Sequence, residues 1–216
     1  MFVYYLFLVL FHEWGFIMKA AAIILAGGKS SRMGTNKAFL KINEKTNIER
    51  TRDALKLLFD DIILVTNEPE TYEFLGMKMT TDHYPGMGPL AGVHAGLMAS
   101  DYDVNLIVAC DMPFVSVELA EALVESCGHY DAVIPVINGK QHPLFAVYHK
   151  KIAGEAARSI EEGRLRMKHL FDRLNVLYMT ESDLQTYSQM DLERVFFNMN
   201  NPNEYEDAKK WAEAEF

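Results

Sequence analysis

The chain has 216 residues, half of them hydrophobic and 24% charged, with a formal net charge of −9 at pH 7. This length suits one α/β domain with a sizeable core better than two domains. The acidic balance argues against general nucleic-acid binding, which usually requires a basic face, and two cysteines provide neither a disulfide framework nor a zinc site.

The chain opens with a strongly apolar segment, residues 1–11. This segment is shorter than the about 20 residues that span a bilayer, and it lacks the positive start of a secretory signal. We predict that Met18 is the true start, that residues 1–17 are a translation-start artefact or a loosely held extension, and that residues 18–216 form the domain. A membrane tether is the alternative.

Runs rich in β-branched residues alternate with helical patterns, which predicts βαβ units and a mostly parallel sheet. Near-continuous apolar strands further predict helices on both faces, and hence a single-domain, doubly wound, Rossmann-like α/β fold. The predicted strands are 21–25, 61–66, 77–81, 104–109, 132–136, 144–148, 176–179 and 196–199. The predicted helices are 47–59, 89–100, 117–127, 151–162, 167–174 and 202–215.

A loop that combines glycines and cations, LAGGKSSRMGTNK, runs from Leu25 to Lys37 after the first predicted strand. Gly27 and Gly28 let the main chain bend and approach a ligand without a Cβ in the way. Backbone N–H groups in such a loop form an anion-binding concavity, to which Arg32 and Lys37 add positive charge. The loop predicts a polyphosphate ligand, with a plain solvated turn as the alternative.

This loop matches neither of two common phosphate-binding motifs. A Walker A loop would need a glycine at Ile23, and the spacing of Gly27, Gly28 and Gly34 does not fit G-x-G-x-x-G. The pattern L-A-G-G-x-S-x-R-M-G, with a lysine three residues later, instead resembles the molybdenum cofactor guanylyltransferases, nucleotidyltransferases that transfer GMP from GTP to molybdopterin. The resemblance covers about residues 20–212 and implies their nucleotide-diphospho-sugar-transferase-like fold.

Polar residues also follow the next three predicted strands: Asn67, Asp82 and Asp111. Ligands of doubly wound sheets bind beyond the carboxyl ends of the strands, so we expect these residues and the glycine loop to form one pocket. A carboxylate can pair with the N1–H and amino donors of guanine but repels the acceptor N1 of adenine. The nucleotide-binding residues that the resemblance implies are Leu25, Ala26, Gly27, Gly28, Lys37, Asn67, Asp82 and Asp111.

Asp111 stands in the segment C-D-M-P at the end of an apolar strand. A carboxylate there can bind Mg²⁺, which takes hard oxygen ligands and bridges carboxylates to phosphates, although an aspartate before a proline can also simply cap a turn. The segment resembles the metal-binding C-D-x-P element of the guanylyltransferases and implies Asp111 as the ligand of a Mg²⁺ cofactor. Arg32, Lys37 and Asp111 are the implied catalytic residues.

The segment GPLAG at residues 88–92 matches the corresponding element of the guanylyltransferases and favours GTP over the CTP of related cytidylyltransferases.

Candidates for the acceptor side lie further along the chain. Asn198 and Asn200 belong to a segment that resembles N-x-N-x-P, near the pterin in the family, and Arg166 could bind the molybdopterin phosphate as a fork. Each candidate also has a plainer explanation: Arg166 as a solvated arginine, His142 as a histidine with its hydrogen bonds satisfied, and the asparagines as helix caps. The acceptor-site candidates are Gly92, His142, Arg166, Asn198 and Asn200.

Together these features predict Mg²⁺-dependent attack of the terminal phosphate of molybdopterin on the α-phosphorus of GTP, with release of pyrophosphate. A phosphate nucleophile is already anionic, so positioning and charge stabilisation suffice and no general base is needed. One position departs from the family: the loop usually ends Asp-Lys but here ends Asn36-Lys37. The lysine that meets the phosphates is kept, and a carboxylate that could order the loop is lost.

Several alternatives stay open at this point. The chain could use CTP with molybdopterin or a sugar phosphate, it could be a non-catalytic nucleotide-binding chaperone of the cofactor, or it could be a membrane-attached partner protein. The predicted partners are GTP and molybdopterin or molybdenum-molybdopterin, with transient contact to cofactor biosynthesis proteins and target molybdoenzymes. We expect no nucleic-acid partner and a cytoplasmic location.

Overall fold

Residues 19–27, 36–187 and 191–214 are the part of the chain that the structure, a computed structural model, describes. The predicted extension of residues 1–17 and the predicted start at Met18 lie outside these ranges. Within them, no helix is both long enough and apolar enough to cross a membrane.

In the described ranges there are ten strands, and eight of them form one sheet. Strands β2 and β3 form a separate antiparallel hairpin. The strands are β1 (Ala20–Leu25), β2 (Lys41–Ile42), β3 (Lys45–Thr46), β4 (Ile62–Val65), β5 (Lys78–Thr80), β6 (Val104–Ala109), β7 (Ala132–Ile137), β8 (Lys140–Gln141), β9 (Phe145–His149) and β10 (Val176–Thr180).

The predicted helices are all found, most of them a few residues shorter than expected because the chain leaves the helix through turns. The α-helices are α1 (Asn47–Leu55), α2 (Pro89–Ala99), α3 (Val117–Glu125), α4 (Ala153–Glu161), α5 (Met167–Phe171), α6 (Glu181–Leu184), α7 (Leu192–Val195) and α8 (Pro202–Glu213). Short 3₁₀ helices cover Lys37–Phe39, Pro69–Leu75 and Lys150–Ile152.

Strand β1 lies inside the sheet, whose order is β10-β7-β9-β6-β1-β4-β5. It pairs in parallel with β4 on one side and with β6 on the other. The chain therefore adds β4 and β5 on one side of β1 and then crosses to the opposite side for β6, which creates a topological switch point at the carboxyl end of β1. The predicted doubly wound, mostly parallel sheet is confirmed. Strands β8 and β9 are the ones that run antiparallel to their neighbours.

The two faces of β1 belong to two different hydrophobic clusters. Ala22 and Ile24 pack in the cluster that contains Ile48 of α1, whereas Ile23 and Leu25 pack in the cluster that contains most of α2. Successive residues of a strand point to opposite faces of the sheet. A strand covered by helices on both faces must therefore be apolar at every position, which explains the continuous apolar run of β1.

The predicted strand at residues 196–199 is wrong. Helix α7 directly precedes this segment, which is irregular, and Phe196 packs against Phe145 of β9 with ring centroids 5.4 Å apart. The Met199 N–H donates to the loop that follows β6. The apolar run is buried because it packs against the sheet rather than joining it, and hydrophobic periodicity does not separate these cases. The strands β2, β3 and β8 and the helices α6 and α7 were not predicted.

Replacing Gly96 with alanine should destabilise the fold. Gly96 lies in α2 against β1 and β4, and a Cβ at this position would come 2.4 Å from Ile23 Cγ2 and 3.2 Å from Val65 Cγ2. Because neither strand can easily withdraw, we expect Gly96→Ala to lower the free energy of unfolding by about 1 to 3 kcal/mol, measured by urea titration.

Gly154→Ala is the matched control for this prediction. Gly154 is also helical, in α4, but no atom lies within 4 Å of its Cβ position. Alanine there should raise the free energy of unfolding by about 0.5 to 1 kcal/mol, because it restricts the unfolded chain. Equal stability of the two variants would contradict the close packing of α2 on the sheet.

Candidate functional site

A cavity of about 490 Å³ lies at the carboxyl end of β1. Its wall is formed by the residues that follow β1, β4, β5 and β6, and by the first turn of α2. This is the switch point of the sheet, where ligands of doubly wound folds bind. The lining residues are Leu25, Ala26, Gly27, Asn36, Lys37, Val65, Thr66, Asn67, Asp82, Gly86, Gly88, Pro89, Gly92, Ala109, Cys110, Asp111 and Leu144.

Most of the predicted nucleotide-binding residues come together in this cavity. Seven of the eight line it, namely Leu25, Ala26, Gly27, Lys37, Asn67, Asp82 and Asp111. The eighth, Gly28, lies outside the described residues, as does the predicted catalytic residue Arg32. The expectation that four strand ends converge on one pocket is therefore met for every predicted nucleotide-binding residue that the structure describes.

Asn36 fixes the start of the short helix that carries Lys37. Its side-chain Oδ1 accepts a hydrogen bond from Ala38 N at 3.0 Å, and its Nδ2 donates to the Tyr72 hydroxyl at 2.9 Å. Burial raises the pKa of Tyr72 to about 12, so this hydroxyl stays protonated at neutral pH. The amide at position 36 thus caps the helix that begins at Lys37, without the carboxylate that the resemblance implies there.

The ammonium of Lys37 connects two distant parts of the chain. Its Nζ lies 3.3 Å from Asp111 Oδ2 and donates to Asn200 Oδ1 at 3.0 Å. The ion pair is partly buried, with 17% of the Lys37 side chain and 23% of the Asp111 side chain exposed. Asn200 arrives at this point because Met199 N donates to Asp111 O at 3.0 Å. The segment predicted for the acceptor side therefore reaches the Lys37–Asp111 pair through Asn200.

The same two oxygens are suitable ligands for a divalent cation. Asp111 Oδ2 and Asn200 Oδ1 are hard donors, and both lie within 3.3 Å of one ammonium nitrogen. No group of three or more His, Cys, Asp or Glu side chains converges within the described ranges. A cation held here would take its other ligands from phosphate and water, which is how Mg²⁺ is commonly bound. The donor set therefore fits the predicted ion.

Asp82 is held in a turn at the opposite side of the cavity. Its main-chain N–H donates to Asn67 Oδ1 at 3.0 Å, and its own Oδ1 accepts from Tyr84 N at 2.7 Å. Among the residues that the structure describes, none donates a hydrogen bond to the second carboxylate oxygen, Oδ2. The turn thus fixes the carboxylate through one oxygen and leaves the other for a ligand.

Two glycines at the start of α2 are required by the local backbone. Gly86 and Gly88 adopt φ values of 80° and 78°, in a region that side-chain-bearing residues rarely enter. Gly88 is the N-cap of α2, and no side chain caps this helix. A Cβ on Gly92 would lie 3.4 Å from Leu25 of β1, so a small residue here lets the helix approach the strand. Gly92 was predicted for the acceptor side, and it lines the same cavity as the predicted nucleotide-binding residues.

Comparisons with known proteins agree with this geometry. Residues 22–176 match the family described as "MobA-like NTP transferase domain". A "probable molybdenum cofactor guanylyltransferase" of Peptoclostridium acidaminophilum is 37% identical over 191 residues, which cover 85% of this chain and 86% of the relative. A relative of the same name from Clostridium perfringens (strain 13 / Type A) is 38% identical over 205 residues, covering 90% of this chain and 98% of the relative.

The chain belongs to the MobA-like NTP transferase family. It is an enzyme of the nucleotidyltransferase class, and the resemblance to the molybdenum cofactor guanylyltransferases that the loop motif predicted is confirmed.

Solved structures extend the likeness to the whole fold. Molybdopterin-guanine dinucleotide biosynthesis protein A of Archaeoglobus fulgidus superposes with a TM-score of 0.77 at 28% identity, over 90% of this chain and 99% of that one. A 2-C-methyl-D-erythritol 4-phosphate cytidylyltransferase of Thermus thermophilus superposes with a TM-score of 0.67 over 88% of this chain and 98% of that one. Its identity is 17%, so this second likeness concerns the fold alone.

Four residues predicted for the acceptor, His142, Arg166, Asn198 and Asn200, do not line the cavity of this MobA-like domain, although Asn200 bonds to Lys37, which does. The His142 ring packs on Phe196, with centroids 4.6 Å apart. Arg166 is an exposed residue that precedes α5, and Asn198 Nδ2 donates to Phe196 O at 3.1 Å. Their acceptor roles stay predictions. His142 and Asn198 both contact Phe196, so these two residues also help to hold the segment after α7 in place.

Sequence reasoning passed over some residues of the site. Cys110 lines the cavity, and burial together with the neighbouring Asp111 charge raises the pKa of its thiol to about 12. Thr66 and Leu144 also line the cavity. Thr66 directly precedes Asn67, so the strand-end argument could have included it, whereas nothing in the local sequence marks Leu144.

His142 should make the fold less stable as the pH falls. Burial, with a smaller effect of the Lys140 charge, lowers the pKa of His142 to about 4 in the folded protein, whereas an unfolded histidine titrates near about 6.5. Between these pH values the unfolded chain binds more protons than the folded chain, so the free energy of unfolding decreases from about pH 6.5 down to about pH 4. Below about pH 4 His142 causes no further decrease. In His142→Gln we expect this decrease to be smaller by about 1 to 2 kcal/mol, allowing for solvent around a half-buried ring.

Urea titrations of both proteins at pH 7 and pH 4.5 measure the effect, and comparing the proteins with each other removes the contribution of the carboxyl groups they share. Parallel loss of stability in the two proteins would show that His142 does not stay neutral in the fold.

Proposed function

We propose that this nucleotidyltransferase transfers GMP from GTP to the terminal phosphate of molybdopterin, or of molybdenum-molybdopterin, giving molybdopterin guanine dinucleotide and pyrophosphate. The observation that carries the proposal is the meeting of Lys37, Asp111 and Asn200 at the switch-point cavity, within 3.3 Å of one nitrogen atom. The names of the relatives support the choice of GTP and of the molybdenum cofactor as substrates.

In this proposal the triphosphate lies along the residues that follow β1. Gly27 has no side chain between its backbone and the cavity, and nothing lies within 4 Å of the position where a Cβ would be. Phosphate oxygens can therefore approach the main chain closely, as in other glycine-rich phosphate loops. The ammonium of Lys37 would exchange its bond to Asp111 for one to the phosphates and neutralise the charge that develops during transfer.

Mg²⁺ is the proposed cofactor, held by Asp111 with Asn200 as a second oxygen ligand. When bound, the ion supplies positive charge at the α-phosphate and the departing pyrophosphate. The chain itself supplies orientation: Asn36 fixes the helix of Lys37, and Met199 N fixes the loop of Asp111. The attacking phosphate is already anionic, so no side chain needs to remove a proton, and catalysis consists of positioning and charge stabilisation.

Asp82 and Asn67 are the proposed contacts of the base and ribose. The free oxygen of the Asp82 carboxylate can accept from the N1–H or amino group of guanine, whereas it would repel the N1 acceptor of adenine. Contacts with other cofactor biosynthesis proteins or target molybdoenzymes, and a cytoplasmic location, stay predictions.

The direct test is incubation of the purified protein with radiolabelled GTP, Mg²⁺ and molybdopterin, followed by identification of the labelled product. We expect molybdopterin guanine dinucleotide and one pyrophosphate per transfer. Parallel reactions with CTP, and with sugar phosphates in place of molybdopterin, separate the proposal from the other nucleotidyltransferase activities. GTP binding without any product would favour a non-catalytic carrier.

Removal of either partner of the central ion pair should abolish most of the activity. We expect Lys37→Ala and Asp111→Ala each to lower kcat by a factor of about 10² or more, because each removes charge stabilisation at the transferred phosphate. Lys78→Ala is the control: it also removes a lysine from a carboxylate partner, Asp101, but at the amino end of β5, and neither residue lines the cavity.

Rates of pyrophosphate release and circular-dichroism spectra of all three variants give the comparison. Near-normal turnover of both Lys37→Ala and Asp111→Ala would overturn the proposed mechanism.

Asp82→Asn should weaken GTP recognition while the turn persists. The amide keeps an oxygen that can accept from Tyr84 N, as Asp82 Oδ1 does at 2.7 Å, but replaces the free carboxylate oxygen by a donor that opposes guanine N1–H. Loss of one such paired contact is worth about 1 to 3 kcal/mol, so we expect KM for GTP to rise about 10- to 100-fold with a smaller change in kcat. Steady-state kinetics with GTP measure this, and an unchanged KM would exclude Asp82 from base recognition.

A further inference from the structure

A buried amide, Asn47, connects the two segments that carry Lys37 and Asp111. Asn47 is the first residue of α1 and is fully buried, with 0% exposure. Its Nδ2 donates to the main-chain carbonyl of Cys110 at 2.5 Å, directly before Asp111. No sequence pattern pointed to this residue, and it does not line the cavity.

The main chain of Asn47 reaches the other segment. Asn47 N donates to Leu40 O at 2.9 Å, and Leu40 N in turn donates to Lys37 O at 3.3 Å, which closes the short helix of Lys37. One residue therefore holds the carbonyl before Asp111 through its side chain and the end of the Lys37 helix through its backbone.

The backbone of Asn47 is itself held firmly. Thr46 and Glu49 form a capping box around the start of α1, and the Thr51 hydroxyl donates to Asn47 O at 3.0 Å. A helix start with this many contacts is a rigid support, and catalytic geometry requires such support because small displacements of a charged group lower the rate strongly.

The Asn47 side chain lowers the stability of the fold through one of its polar atoms. Its Oδ1 is buried and has no hydrogen-bond partner among the described residues, and an unsatisfied buried acceptor destabilises a fold. A leucine has a similar size and would avoid this cost in an otherwise apolar layer formed by Ala38, Ile48 and their neighbours. The amide is therefore best explained by what its donor holds, the Cys110 carbonyl.

We propose that Asn47 is a positioning residue, which sets the distance between the Lys37 ammonium and the Asp111 carboxylate by holding Leu40 and Cys110 at once. This inference rests on the proposed function, since it assigns Lys37 and Asp111 to the same triphosphate. Asn47 itself touches neither the triphosphate nor the reacting atoms.

Asn47→Leu is the decisive variant, because it keeps the volume and removes both the donor and the unsatisfied acceptor. We expect its melting temperature to stay near that of the wild type, because removal of the unsatisfied Oδ1 offsets the loss of the hydrogen bond to the Cys110 carbonyl. We expect kcat to fall about 10- to 100-fold and KM for GTP to change less than about threefold. Asn47→Asp, which places a carboxylate oxygen against the Cys110 carbonyl, should lose as much kcat and serves if the leucine variant folds poorly.

Thr51→Val is the matched control, one turn further along the same buried face of α1. It removes the Thr51 hydrogen bond to Asn47 O but leaves the bond to Cys110 intact. We expect its kcat to stay within a factor of about two of the wild type. A comparable loss of kcat in Thr51→Val and Asn47→Leu would reduce the role of Asn47 to general support of the helix and overturn the proposal, as would unchanged kcat in Asn47→Leu.

Amide hydrogen exchange separates this proposal from the proposed function. Loss of the Asn47 donor should speed exchange of the peptides that contain residues 36–41 and 110–113 in Asn47→Leu but not in Thr51→Val, whether or not the substrate is known. Unchanged exchange there would refute the positioning role. Absence of dinucleotide product from the wild type would instead refute the proposed function. The exchange rates would then still show whether Asn47 holds the two segments in place.

Discussion

The parallel pairing of β1 with both β4 and β6 is the constraint on which the whole site depends. Because all three strands end at the same edge of the sheet, Gly27, Asn67 and Asp111 are delivered to one cavity by backbone hydrogen bonding alone. The register aligns Leu25 with Val65 and with Ala109, so the strands also stop at the same level. Side-chain chemistry then needs only small local adjustments, made by caps and turns.

This dependence explains how much could be predicted. Alternation of apolar strands and helical patterns predicts the doubly wound sheet, and the residues after each strand then predict the pocket, with Asp82 and Asp111 in it. Both steps use local sequence, and both succeeded. Strand β9 was predicted, but its antiparallel direction was not, because hydrophobic periodicity carries no information on strand direction. The irregular segment at Phe196 was predicted as a strand, because apolar residues buried by packing and by pairing look alike in sequence.

Interactions between distant segments were the least predictable part of the site. Asn200 meets Lys37 across 163 positions of the chain, and Asn47 meets Cys110 across 63. No local sequence pattern indicates either contact, and an asparagine at the start of a helix is equally typical of a helix cap. The loop motif predicts residues that would contact a nucleotide, whereas the residues that hold them in place become visible only in the folded chain.

The Lys37–Asp111 pair also limits how the site can be filled. A divalent cation at Asp111 and the Lys37 ammonium, now 3.3 Å from the carboxylate, would repel each other strongly at such a distance in a partly buried site. Anionic phosphates placed between them would remove this repulsion, so the proposed metal and the proposed nucleotide would favour each other's binding. In the structure the Lys37 ammonium pairs with Asp111, so the charge of this partly buried carboxylate is compensated. The overall acidic chain, with 30 carboxylates against 21 lysines and arginines, makes this local compensation more important.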